Sequence, residues 1–247
     1  VTGYLPLPLL QRLDWQIYDV RLRATMPNTI DPNIVIIDID EKSLSEVGRW
    51  PWSRDKLAAL NHNLFEDYQA ALVGYDIFFS EPEQNASLIK LKELASTELS
   101  DIPQLSQRLD ALANKLDPDQ QFANSLQHTP SILGYYFKTD NSPNLGVLPR
   151  PSLDQSTLHH QAIATYSANS YSANIALLQA NVVNAGHVLS LPDADGINRR
   201  SQALIRYKND YYESFSLAMV QAALEMQALT PKFKTNPLNK YEQSLEW

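Results

Sequence analysis

Two short apolar runs with a helical stretch between them restrict this chain to a narrow class of folds. The first, IVIIDID at residues 34–40, is rich in β-branched residues and follows the turn residues Asp31, Pro32 and Asn33. Its length and composition suit a strand buried on both faces. Ser53 can cap a helix running to Tyr68, because Leu57, Leu60, Leu64 and Tyr68 fall on one side while Asn61, Asn63, Glu66 and Asp67 fall elsewhere. The second run, ALVGYDIFF at residues 71–79, again suits a buried strand. Strand, helix and strand make a βαβ unit whose crossover is almost always right-handed, so at least part of the sheet is expected to be parallel.

Periodicity extends the pattern in both directions. Leu10, Leu13, Ile17 and Val20 mark one face of an amphipathic helix over residues 9–22, which Pro27 closes. Residues 83–118 read as a polar helical insertion, with Leu105, Leu109, Leu112 and Leu116 at helical spacing and a break at Asp101, Ile102 and Pro103. A helix over 120–127 and a strand SILGYYF over 131–137 follow. Beyond a polar stretch with a short YSAN echo come a brief helix near 175–179 and strands over 182–191 and 203–207. Turn residues at Asp195-Gly196 and Asn209-Asp210 point to antiparallel hairpins, and a last helix over 214–229 should bury Phe215, Leu217, Val220 and Leu224. The expected fold is therefore α/β: a mixed, largely parallel sheet flanked by helices, with antiparallel hairpins toward the C-terminus. Residues 1–30 form an N-terminal helical segment, 31–230 the α/β domain with 83–118 inserted, and 231–247 a tail.

Composition removes several classes of function. Among 247 residues, 44% are hydrophobic and 19% charged, so the chain should fold; its net charge of -8 and scattered Lys and Arg offer no basic surface for nucleic acid. The absence of cysteine excludes a disulfide framework, a thiol nucleophile and Cys-ligated zinc. No run approaches the roughly 20 apolar residues that cross a bilayer. Opening at Val1 and closing at Trp247 after a polar end, the chain is expected to be an excised piece of a longer protein.

Acids at the carboxyl ends of the two expected strands are the first candidate site. Asp38 and Asp40 point the same way, Glu41 follows, and Asp76 and Glu81 lie near the end of the next strand. Open parallel sheets bind ligands in the crevice beyond these ends, where such carboxylates could hold a divalent cation or the polar groups of a small molecule. They could equally cap the following turns or pair with Arg49 and Arg54. In GRWPWSR, residues 48–54, Trp50 and Trp52 bracket Pro51 between those two arginines. The rings would make a ligand wall or partner anchor, or else a rigid plug over the sheet.

Other motifs carry less. Ser53-Arg54-Asp55-Lys56 fits S-x-x-K, but no S-D-N or K-T-G accompanies it. Asp193-Ala194-Asp195-Gly196 opens like a calcium loop, yet Ile197 and Leu204 stand where oxygen ligands are required, so a turn with Arg199 and Arg200 leading out of it is the better reading. His159 and His160 are adjacent, and His62, His128 and His187 have no partner at ligand spacing.

The segments LDWQIYDVRLRA (13–24), IVIIDIDEKSLSEVGRWPWSR (34–54), VGYDIFFSEPE (73–83) and DADGINRR (193–200) together resemble the type-two CHASE family of sensory domains associated with cyclases and histidine kinases. The resemblance implies a bacterial receptor domain on the periplasmic side of the inner membrane, joined through flanking helices absent from this chain to a cytoplasmic diguanylate cyclase, adenylate cyclase or kinase. It also implies that the chain itself is no enzyme, needs no cofactor, takes an unknown small-molecule or ion ligand, and is a homodimer in the full receptor. Family members usually continue with a G-K-x-V-x-x-G segment, which is missing here. Two rival readings stand beside it: an exported metal-dependent hydrolase using the strand-end acids, and a periplasmic protein-interaction module using the tryptophan loop.

Overall fold

A computed structural model describes residues 8–27, 29–84, 86–99, 102, 104–115, 117–154, 156–158, 163–226, 228–230, 232–235 and 243–246. The chain divides into two compact units, Val1–Trp50 and Pro51–Trp247. The first contains helices α1 (Pro8–Thr25) and α2 (Glu41–Val47). The run 34–40 between them forms no strand, a correction to the sequence reading, and Ile34, Val35, Ile36 and Ile37 are 70, 77, 89 and 56% exposed. Its composition favours extended backbone, but a strand also needs a neighbour to complete its ladder. The apolar stripe of α1, Leu10, Leu13, Ile17 and Val20, is exposed as well.

The second unit runs α3 (Arg54–Glu66), β1 (Val73–Tyr75), α4 (Ala86–Ser96), α5 (Leu105–Lys115), α6 (Pro118–Leu126), β2 (Ser131–Lys138), β3 (Ser167–Ala168) and β4 (Ser170–Ser172). It continues with α7 (Ala176–Gln179), β5 (Asn184–His187), β6 (Leu204–Tyr207), β7 (Asp210–Glu213), α8 (Phe215–Ala223), β8 (Lys232–Thr235) and β9 (Gln243–Glu246). Strand β2 is central: β1 and β5 both pair with it in parallel, with Tyr75 opposite Leu133 and His187 opposite Tyr135, and β4 pairs antiparallel with its far end. A second sheet orders β3-β6-β7, and β8 and β9 form an antiparallel pair. The fold is thus mixed α/β with a largely parallel central sheet, and antiparallel pairs gather toward the C-terminus.

Parallel pairing arises from crossovers later in the chain than the one expected, β1 to β2 through α4–α6 and β2 to β5 through β3, β4 and α7. The helical insertion is the pair α4 and α5, separated where the sequence breaks. The Asn209-Asp210 hairpin forms, with Tyr207 opposite Asp210. The Asp195-Gly196 turn also forms, but it links β5 of one sheet to β6 of another and makes no hairpin.

Alternation along β1 and β5 gives the sheet two differently packed faces. On one, Tyr75 meets α3 and α6: its ring lies 5.6 Å from Phe122 at 83°, and its hydroxyl donates to Asn61 Oδ1 at 2.7 Å. Asn61, expected on a polar side, is fully buried, and its amide also donates to Ser125 O and Thr129 Oγ1. Leu57, Ala123 and Leu126 complete this layer. On the other face, Gly74 and Gly186 leave room for α8 to lie directly against the strands. That helix buries Ala218 and Gln221, while Val220 and Leu224, expected inside, are exposed. The side of α8 turned to the sheet presents Phe215 and Met219 side chains over Gly74 and the Ser214–Phe215 backbone over Gly186, and Val220 and Leu224 are left on the exposed side.

Candidate functional site

The residues expected at a ligand crevice fall in both units, and several already have structural partners. Asp40 is the N-cap of α2, accepting from Ser43 N at 2.8 Å and Ser43 Oγ at 2.7 Å. Those bonds, the backbone one first, hold its carboxyl below the usual range. Asp38, Glu41, Arg49 and Trp50 are exposed. In the second unit Asp76 and Glu81 are exposed and Trp52 is half-buried.

Arg54 is buried at the start of α3 and is the centre of a network. Its Nη1 pairs with the Asp119 carboxylate, Nη2 donates to Glu81 O at 2.5 Å, and its guanidinium stands 5.3 Å from the Phe79 ring centroid. Its backbone N–H donates to Glu83 Oε2 at 2.7 Å, and Glu83 N–H donates to Asp119 Oδ2 at 3.0 Å. Arg54 and Glu81 are therefore brought together, but through the Glu81 carbonyl, in a clamp joining α3, α6 and the segment after β1. Asp119 was not among the expected residues: the helix was expected only from residue 120, and the partner of Asp119 lies 65 residues away along the chain. The S-x-x-K serine, Ser53, stands before α3, and its hydroxyl pairs with the Asp55 carboxylate. Among the described residues no group of three or more His, Asp or Glu could hold a metal ion; His159 and His160 lie outside the described residues.

A different region offers a cavity. About 440 Å³ opens between the end of β5, the segment 198–201 leading to β6, and the start of α8. Its polar lining is Ser190, Asn198, Arg199, Arg200, Ser201 and Ser216, with no carboxylate, and Val188, Leu189 and Phe215 supply an apolar part. The turn found in sequence builds one wall. Gly196, at φ +81°, lets the chain reverse so that Gly196 N–H reaches Asp193 O at 2.8 Å, and Arg199 is clamped by Asp193 at 3.1 Å and Asp195 at 2.8 Å. The Arg199 guanidinium and the Ile197 N–H hold the Asp195 carboxyl below its usual range. Arg200 is exposed and has no ion-pair partner among the described residues.

Ser214 caps α8, its hydroxyl accepting from Leu217 N at 3.3 Å. The backbone at the start of α8 lies against β5: His187 bridges Ser214, and a Cβ at Gly186 would stand 2.5 Å from the Phe215 nitrogen. His187 is 1% exposed and its ring packs 6.0 Å from that of Phe137, on the face of the sheet opposite Gly186 and α8; among the described residues neither ring nitrogen has a hydrogen-bond partner, and burial lowers its pKa to about 4. The hydroxyl of Tyr135, opposite His187 in the sheet, and Glu213 Oε2 are likewise buried without partners. Burial pushes the Glu213 carboxyl up, against the opposing bonds from Asn184 and Ser152. Sequence reading noted Arg199 and Arg200 only as flanks of a turn; the adjoining β5 end and α8 cap are too distant along the chain to be associated with them.

Comparison with known proteins gives one match: the family model described as CHASE2 domain covers residues 1–245. No curated protein and no solved structure matches the chain.

Proposed function

The chain belongs to the CHASE2 domain family, and from that premise we propose that it is the extracytoplasmic ligand-sensing domain of a bacterial transmembrane receptor whose cytoplasmic part carries the enzymatic output. CHASE2 domains are sensory, not catalytic, so the chain's own task is to change a conformational equilibrium when something binds. The family match over nearly the whole chain carries this reading, and the cavity at the start of α8 supports it by offering a concave, mixed polar and apolar surface of the size that small ligands occupy. A signal passes only where the ligand binds one state more tightly than another. A site shared by three separate segments, at β5, 198–201 and α8, changes shape when any of them shifts.

Thermal-shift screening of the 247-residue chain against anions, divalent cations and neutral metabolites tests the reading. A ligand at about 100 times its Kd stabilises the native state by about 2.7 kcal/mol, a readily measured rise in Tm. The same compound should alter the output of the intact receptor.

A second reading draws on the exposed run Ile34–Ile37 and exposed Trp50. Apolar surface of that kind suits a protein-interaction module. Silence throughout the small-molecule screen, with binding of a periplasmic protein abolished by Ile36→Asp, would favour it.

A further inference from the structure

Helix α1 carries its apolar residues on the side turned away from its own packing. Trp15 and Asp19, half-buried, mark the packed side. Across the helix from them Leu10, Leu13, Ile17, Val20 and Ala24 form one stripe, the four larger residues being 46–64% exposed and Ala24 exposed as well. Their spacing alternates three and four residues throughout, the heptad a and d pattern, which is the seam of a helix that packs against a matching helix. A helix lying on a lipid surface has a broader apolar face and basic flanks, whereas this stripe is confined to a and d and is bordered by Asp14.

The flanking charges select the partner and its direction. Asp14 and Arg21 are exposed, stand seven residues apart at the same e position, and have no charged residue three or four places away along α1 to pair with. In a parallel pair of helices an e position faces a g position, so Asp14 would meet Leu9 and Arg21 would meet Gln16, neither of them charged. In an antiparallel pair e faces e. Asp14 of each copy then meets Arg21 of the other, and the same register sets Leu13 against Ala24 and Ile17 against Val20.

We propose that α1 is a self-association surface, along which a second copy of this chain lays its own α1 antiparallel, joined by the a and d seam and by two Asp14–Arg21 ion pairs across the two-fold axis. The occupant is the chain itself because one helix supplies both halves of the match: a self-complementary seam needs opposite charges at positions that the axis exchanges, and Asp14 and Arg21 are those charges. Five a and d positions make a small seam, below the roughly 1,200 Å² of a standard interface, so the association is weak and reversible. The inference concerns assembly, and it stands or falls apart from what the domain senses.

The 247-residue chain, sedimented to equilibrium at low salt from micromolar to millimolar concentration, should rise from the mass of one chain toward that of two. Asp14→Arg should weaken association about tenfold, because each ion pair becomes a like-charge pair; adding Arg21→Asp should restore it, since the reversed charges meet again across the axis. Direction is read by disulfide formation, which the absence of native cysteine makes unambiguous. Leu13→Cys chains mixed with Ala24→Cys chains should crosslink under mild oxidation, and neither should crosslink alone, because each position lies eleven residues, about 16 Å, from its own copy in an antiparallel pair. A mass that stays at one chain throughout, a single reversal without effect, a double reversal that restores nothing, or crosslinking of Leu13→Cys chains with one another overturns the proposal. A chain that stays monomeric and binds phosphatidylglycerol vesicles overturns it in favour of a lipid surface.

Discussion

Gly186 of β5 lies so close beneath Phe215, the first residue of α8, that a Cβ atom at 186 would stand 2.5 Å from the Phe215 nitrogen. The obstruction is backbone, and it cannot rotate away. Gly74 on β1 is also crowded by α8, but there the obstructing atoms are the Met219 sulfur and the tip of the Phe215 ring. Gly186→Ala should therefore destabilise the chain by about 1–3 kcal/mol through overpacking, measured by urea unfolding, and should cost more than Gly74→Ala. The reverse order would mean that α8 is not seated by its contact with β5.

The Arg54–Asp119 pair makes a second expectation. Arg54→Met leaves the Asp119 carboxylate buried with, among the described residues, only the Glu83 N–H to satisfy it. Breaking a buried pair in this one-sided way costs about 3–5 kcal/mol. Adding Asp119→Asn removes the stranded charge and should restore part of the loss, so the double variant is expected to be more stable than Arg54→Met. If instead the two losses simply add, the pair is not coupled.

These two features show where the sequence could and could not be read. Local patterns were legible: the helix expected over 120–127, the β2 run SILGYYF and the Asn209-Asp210 hairpin all stand close to where periodicity and turn chemistry put them. Family membership was legible too, in motifs spread from residue 13 to residue 200. What failed was partnership. IVIIDID has the composition of a core strand, yet composition states only that a backbone can extend, not that another strand will pair with it. Asn61 lies among polar neighbours in sequence but is buried because Tyr75 and Thr129 supply its hydrogen bonds. Likewise Arg200 becomes part of a cavity only because α8 starts beside it.

Asp40 allows a structural role to be separated from a ligand role. As the cap of α2 it accepts two bonds from Ser43, and asparagine can accept them as well. Asp40→Ala should speed amide exchange of Ser43 and Leu44, while Asp40→Asn should leave it near wild type. If Asp40→Asn in the intact receptor abolished signalling with α2 exchange unchanged, the carboxylate's charge, not its capping bonds, would be what matters.

Protonation of His187 gives the chain a pH dependence whose sign follows from burial. The folded pKa is about 4 against an ordinary 6.5, so between these values the unfolded chain binds a proton that the folded chain refuses, and stability falls as pH is lowered. At pH 5 the loss relative to neutral pH amounts to about 2 kcal/mol. Glu213 acts in the opposite sense: burial raises its carboxyl above 4.5, so the folded chain retains a proton that the unfolded chain has lost, and its contribution falls as pH rises through that range. Wild-type stability therefore sums two opposed slopes, and His187→Gln removes one of them. Comparing the two chains by urea unfolding isolates the histidine: from pH 7 to pH 5 the balance should move toward the variant by about 2 kcal/mol. A difference that stays constant with pH would show that His187 is not held neutral by its surroundings.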